Sequence, residues 1–307
     1  METTYVSPSL IPGPFGKGGL VTGIVEPGWE PVRRAFEENF RLNYELGAQL
    51  VVYSQDKVVV DLCGRSDAQA EYTAETLQNI YSSGKNMEAL CIAVLVDRGL
   101  VAYRDKISQY WPEFGRHGKE DITVADALRH EGGVPFFTSP LSNADFKTDH
   151  KLTENEITDP VAIEKVIENS ALFNLDGQRH YHALTRGWIL SGLIRRVDHK
   201  HRTLGQFMSD EICAPMGLTI YCGMSPPQQQ NHHFANVAII PNNYALPFLV
   251  VPVKAGLGDP TIRGALEIVF GKNSPMRRHS ESLDLACLHL PCRIQNVINF
   301  ICSCTMI

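Results

Sequence analysis

Ile80-Tyr-Ser-Ser-Gly-Lys-Asn-Met-Glu-Ala-Leu-Cys-Ile-Ala-Val-Leu-Val-Asp-Arg98 is the stretch that decides how this chain is read. From Asn86 to Arg98 the residues Met87, Leu90, Cys91, Ile92, Val94, Leu95 and Val96 wrap almost fully round a helical wheel. A helix apolar on every side is expected to be central and buried. Gly99 supplies its stop. At its head stands Ser82-Ser83-Gly84-Lys85, with a serine and a lysine three residues apart. Residues at that spacing share a helix face, so hydroxyl and amine are expected side by side. The positive helix end and removal from water both disfavour a charged lysine. A neutral amine can take the serine proton and leave a nucleophilic oxygen. The Ser82 N–H is then available as half of an oxyanion hole. The plain alternative is a serine that only caps the helix. A second Ser-x-x-Lys, Ser54-Gln55-Asp56-Lys57, has no helix behind it and is read as chance.

Outward from that helix, the elements follow from local pattern. Residues 1–27, rich in Pro, Gly and Ser at their start, read as an irregular lead-in. Pro31 marks a first helical turn, with Val32, Ala35, Phe36 and Phe40 at helical spacing. Gln49–Tyr53 and Lys57–Leu62 read as two strands joined by Gln55-Asp56, a hairpin closed by Gly64 and Asp67. Thr123 is an expected N-cap for a helix over Val124–Arg129. Further helices are expected over Val161–Glu168, Ala183–Val197 and Leu204–Ile212, the last ending before Pro215. Residues 220–262 read as loop-rich, with one strand-like stretch at Ala235–Ile240. No internal repeat is visible.

Several blocks resemble, in order, the β-lactamase-related family of penicillin-binding-protein-like serine hydrolases. Gly47-Ala48 with its hairpin is similar to the opening strands. Ile80-Tyr-Ser-Ser-Gly-Lys85 resembles the nucleophile motif. Gly99-Leu-Val and Tyr110-Trp-Pro-Glu-Phe114 resemble the stretch that follows the nucleophile helix. Ile122-Thr-Val and Leu128-Arg-His-Glu-Gly-Gly-Val134-Pro135 resemble the family's leucine–histidine–glycine block. Tyr181-His182-Ala183-Leu-Thr-Arg-Gly-Trp188 resembles the tyrosine motif of its esterase-like branch, and Pro215-Met-Gly-Leu218 the end of the helical lobe. The resemblance covers roughly residues 20–290. It implies an α/β (α+β) fold, β-lactamase/transpeptidase-like, with an antiparallel sheet flanked by helices and an α-rich lobe. It implies Ser82 as nucleophile, Lys85 as base and Tyr181 as a second acid/base that protonates the leaving group. Taken alone, Tyr181 would more simply be a core tyrosine with a satisfied hydroxyl. No cofactor is implied.

Two departures from the family stand out. Ala183 occupies the place of the asparagine in the Tyr-x-Asn form of the motif. No Lys-Thr-Gly or His-x-Gly follows Tyr181, and Gly256-Leu-Gly258 lies too early to serve. That motif belongs to a late strand edging the site, so the late sheet strands are expected to be missing. Residues 28–292 then form a partial β-lactamase-related domain. Residues 293–307, with Cys302 and Cys304, form an atypical, truncated C-terminal tail. Missing strands would leave an open sheet edge, suited to self-association, and an uncovered face on the nucleophile helix.

Composition bounds the remaining choices. With 307 residues and 44% hydrophobic content the chain can bury a large core. A net charge of −6 without a basic stripe argues against a nucleic-acid partner. No apolar run is long enough to span a membrane, and no secretory signal is visible. Cys63 and Cys91, inside apolar runs, suit a reducing compartment, so an intracellular, cytoplasmic protein is expected. His180-x-His182, His199-x-His201 and His232-His233 lack a zinc-site frame, so no metal is expected. The glycines at 13, 16, 18 and 19 lack the preceding strand a phosphate cradle needs. Cys304-Thr-Met-Ile307 matches a prenylation box only in outline and is read as coincidence. The functions that remain are a serine hydrolase acting on a small-molecule ester or amide, and a non-catalytic family member acting as a binding or assembly module. A third, blander option is a poorly folded splice or gene-model product.

Overall fold

The computed structural model describes residues 5–11, 19–135, 152–173, 179–224, 226–235 and 300–302. The chain begins with strands β1 (Tyr5–Ile11) and β2 (Gly19–Val25), helix α1 (Glu30–Arg41), and strands β3 (Gly47–Ser54) and β4 (Lys57–Ser66). The strands form one sheet in the order β1-β2-β4-β3, with every neighbouring pair antiparallel. The β3–β4 hairpin is the expected one. Gln55 and Asp56 both adopt left-handed backbone, φ 51° and 61°, as a two-residue type I′ turn requires.

The lead-in expected to be irregular instead contributes β1 and β2. β2 lies inside the sheet and pairs with β4 from Gly19↔Ser66 to Val25↔Val60, burying Val21 and Val25. The strand requires a glycine at Gly23. Its φ is 129°, and a Cβ there would stand 1.9 Å from the Asp61 carbonyl oxygen. α1 lays Phe36 and Phe40 on the sheet, over β4. Gly64 makes the contact possible, since a Cβ on it would fall 2.3 Å from the Phe40 ring. Val21, Val25, Phe36, Phe40, Val59, Val60 and Leu62 form a self-contained apolar cluster.

The second, larger core belongs to the helices. Strand β5 (Gln78–Asn79) leads through a 3₁₀ turn, Tyr81–Gly84, into α2 (Lys85–Asp97). There follow α3 (Ile107–Tyr110), α4 (Val124–Leu128), α5 (Glu154–Thr158), α6 (Pro160–Asn169), α7 (Thr185–Val197) and α8 (Leu204–Met208). α2 buries Cys91, Ile92 and Leu95 against this lobe and ends at Gly99, φ 68°. Burial on every side is not realised, because Leu90 remains 39% exposed. Thr123 caps α4 as expected, in a reciprocal capping box with Asp126. The helix begun at α8 does not end before Pro215. It opens into a π turn over Ser209–Cys213 and closes again over Ala214–Met216. Pro215 then sits in a new first turn, where a missing N–H costs no ladder bond.

Buried polar groups tie the lobe together. The Trp111 indole N–H donates to Glu168 on α6 at 2.9 Å, and the Arg196 guanidinium on α7 lies 4.1 Å from the Trp111 ring centre. The Lys119 ammonium, fully buried, donates to the carbonyls of Arg116, Glu168 and Ser170. A small second sheet sets β6 (Ile220–Cys222) and β5 on either side of β7 (Phe300–Cys302). The tail, expected to be atypical, supplies the middle strand of this sheet. Ala235 closes a backbone bond to Leu77, while 236–240, where a strand was expected, lies outside the described residues.

Candidate active site

Ser82 sits one turn before α2, in the 3₁₀ turn and not on the α-helix itself. The turn is entered through Tyr81, whose φ of 46° is left-handed and unusual for an aromatic residue. Its N–H donates to the Asn79 side-chain oxygen at 2.8 Å. The Ser83 N–H donates to the Ile80 carbonyl at 3.0 Å. Ser82 is exposed, and its own N–H has no acceptor among the described residues.

The sequence predicts an amine beside the serine hydroxyl, and the structure arranges the groups differently. The hydroxyl of Ser82 is hydrogen-bonded to the phenol of Tyr181. Lys85, the first residue of α2, turns its amine to the Ala183 carbonyl at 2.7 Å. That amine stands 5.2 Å from the Tyr181 ring centre. All three predicted residues therefore meet, with Tyr181 as the group that touches Ser82. Ala183 cannot supply the asparagine's amide, but its backbone carbonyl holds the lysine. The other Ser-x-x-Lys lies on the exposed β3–β4 turn.

Several residues at the site carried little sequence signal. Glu88 lies three residues beyond Lys85 and shares its face of α2. It is almost fully buried, and burial raises its pKa against the opposing pull of Arg186 and Lys85. Arg186 on α7 approaches Glu88 at 3.1 Å as an ion pair not aligned as a hydrogen bond. It also donates to the Lys85 carbonyl at 3.0 Å. These contacts fasten α7 to the head of α2.

His130 and His182 stand behind Tyr181. Val134 N–H donates to His182 Nε2 at 3.2 Å, so the His182 ring proton is on Nδ1, which donates to the His180 carbonyl at 2.7 Å. Burial pushes His182 down to about 4, against the hydrogen bond to the His180 carbonyl and with smaller contributions from His130, His180 and Arg186. His130 is also pushed down to about 4, by burial and then by Arg186, Lys85 and Arg179.

The trio opens into a cavity of ≈ 390 Å³. Tyr81, Ser82, Lys85 and Tyr181 line one part of it, Ile157, Ile163, Trp188 and Leu204 another, and Glu88 also reaches it. The mixture of an apolar wall and a few convergent polar groups is that of a small-molecule site. Among the described residues, no group of three His, Cys, Asp or Glu side chains could hold a metal. Nor is any described helix long and apolar enough to cross a membrane. Gly256-Leu-Gly258, and Lys254-Ala-Gly256, which has Lys-x-Gly spacing, lie outside the described residues.

Comparison with known proteins gives the family and the fold. The chain is 34% identical over 202 residues to Esterase/beta-lactamase LipL of Mycobacterium tuberculosis, a match covering 65% of this chain and 44% of that protein. A penicillin-binding protein homologue from Caulobacter crescentus superposes with a TM-score of 0.62 at 31% identity, over 72% of this chain and 57% of the other. A family VIII carboxylesterase gives 0.61 at 30%, over 71% and 57%. The chain thus spans less than half the length of the curated relative and little more than half of these structures. The family model described as Beta-lactamase matches residues 33–238. That match takes in Ser82, Lys85 and Tyr181 and well over half of the sequence, and the chain belongs to the β-lactamase family, with a β-lactamase/transpeptidase-like fold.

Proposed function

We propose that the chain is a serine hydrolase that cleaves a small ester or amide through an acyl-enzyme on Ser82. The observation that carries this reading is the hydrogen bond between the Tyr181 phenol and the Ser82 hydroxyl. In its phenolate form Tyr181 takes the serine proton as Oγ bonds to the carbonyl carbon. It returns that proton to the departing alcohol or amine as the scissile bond breaks. Water then repeats the sequence and frees the acid. The Lys85 amine, 5.2 Å from the Tyr181 ring centre, can share in that proton transfer. The names of the relatives, esterase/beta-lactamase and carboxylesterase, favour an ester. Among the described residues Cys63, Cys91, Cys213 and Cys222 are free thiols, which supports an intracellular, cytoplasmic setting.

Turnover by these 307 residues is weak in this reading. No Lys-Thr-Gly or His-x-Gly motif follows Tyr181 to bring the second oxyanion donor, and one missing donor costs about 10²–10³-fold in rate. The test is hydrolysis of a p-nitrophenyl ester by the purified chain and its Ser82→Ala and Tyr181→Phe variants. Slow release of nitrophenol, lost in both variants, supports the proposal. Turnover that survives Ser82→Ala removes it, and turnover matching a full-length relative removes the impairment.

A second reading is a non-catalytic binding or assembly module that self-associates along β3, the terminal strand of its sheet among the described residues. The exposed Leu90 on α2 favours it. A fluorophosphonate probe separates the two. Labelling at Ser82 supports the hydrolase, and a folded chain that takes up no label supports the module.

A further inference from the structure

Tyr181 belongs to no helix or strand. It lies in the irregular stretch before α7, so its own secondary structure cannot hold its phenol against Ser82. The loop after α4 does so, and a single residue makes the central contacts. The His130 carbonyl accepts the His180 N–H at 3.1 Å. The His130 Nδ1 accepts the His182 N–H, also at 3.1 Å. The His130 ring lies against the Tyr181 ring, 4.7 Å between centres and tilted by 43°. Both peptide neighbours of Tyr181, and its aromatic face, are thus held from one side chain and one carbonyl.

The surrounding bonds keep the two loops in register. Glu131 pairs with Arg179 at 2.9 Å, and Val134 bonds His182. An Nδ1 that accepts a backbone N–H must keep its lone pair, so the His130 ring is neutral with its proton on Nε2. The groups around it favour that state. Lys85, Arg186 and Arg179 are positive, and the ring is half-buried beside His182. Glu131, on the same loop, is occupied by Arg129 and Arg179.

We propose that His130 is the positioning residue for Tyr181, fixing the phenol on Ser82 through its Nδ1, its carbonyl and its ring face without touching substrate. The proposal rests on the role assigned to Tyr181 above. The loss of such a clamp lowers the rate of the chemical step and leaves probe binding unchanged.

The experiment measures the concentration dependence of fluorophosphonate labelling at Ser82, which yields a maximal rate and a half-saturating concentration. It compares the wild-type chain, H130A, H130N, Y181F and the H130A/Y181F double variant, each below its melting temperature. Asparagine accepts left-handed backbone, as His130 has at φ 67°, and its Oδ1 takes the place of Nδ1. H130A is expected to lose roughly 100-fold in maximal rate at unchanged half-saturation, and H130N to recover most of that loss. In the Y181F background H130A is expected to add less than about 2-fold, because residues acting through one group are not additive. If H130A does not fold, H130Q replaces it, since its acceptor lies one carbon too far out. Wild-type rates in H130A, or equal losses with and without Tyr181, overturn the proposal and leave the serine hydrolase standing. A folded wild type that does not label at Ser82 removes both.

Discussion

Tyr181 shows what was legible at the scale of single residues and what was not. Ser82 and Lys85 announce themselves by spacing, because three residues along a helical segment bring two side chains to one face. Tyr181 has no such local partner. Its hydroxyl reaches Ser82 only through the fold, so sequence could name it by resemblance alone. Glu88 could have been found from the same face rule, whereas His130, although inside the leucine–histidine–glycine block, makes long-range bonds that local spacing does not encode. His182 carries a consequence for pH. Its ordinary pKa of 6.5 is pushed down to about 4 in the folded chain, so below 6.5 the unfolded state binds a proton that the native state refuses. Stability present above about pH 6.5 is therefore lost as pH falls toward 4, by up to about 3 kcal/mol. His182→Gln removes the titration and keeps an acceptor for Val134. Urea midpoints of the two proteins are expected to converge or cross on acidification, and a constant difference from pH 7 to 4.5 would count against this account.

At the scale of elements, locally encoded features were read correctly. The β3–β4 hairpin, α2, α4, α6 and α7 are declared by periodicity, turn residues and caps within a few positions. β2 was lost because its glycines mimic loop composition. Gly23 is there for a neighbour far along the chain, the Asp61 carbonyl. The continuation of α8 past Pro215 was missed because a π turn leaves no mark in sequence. α1 docks on the sheet at Gly64, where an added Cβ would meet the Phe40 ring at 2.3 Å and Phe36 at 2.9 Å. Gly64→Ala forces α1 off the strand and is expected to cost about 1–3 kcal/mol, read as a lower urea midpoint. An unchanged midpoint would mean that the helix is not seated as described.

For the molecule as a whole, the described residues form two main cores of unequal size, beside a small cluster of Leu77 and Met224. Seven buried side chains hold the N-terminal sheet and α1, against twenty-three in the helical lobe. The smaller core is expected to open first, so amides of β3 and β4 should exchange with deuterium at lower free energy than those of α2 and α7. The reverse order would show that the sheet is the firmer half. Ser82 and Lys85 stand at the head of α2 and Tyr181 in the loop before α7, and none belongs to the sheet cluster. The hairpin tip at Gln55-Asp56 is exposed, and neither residue lines the cleft. For an engineer, that tip is where foreign sequence can enter. Exposed polar turns are preferred sites of tolerated insertion, and a short flexible peptide spliced between Gln55 and Asp56 should leave the rate of Ser82 labelling as it was.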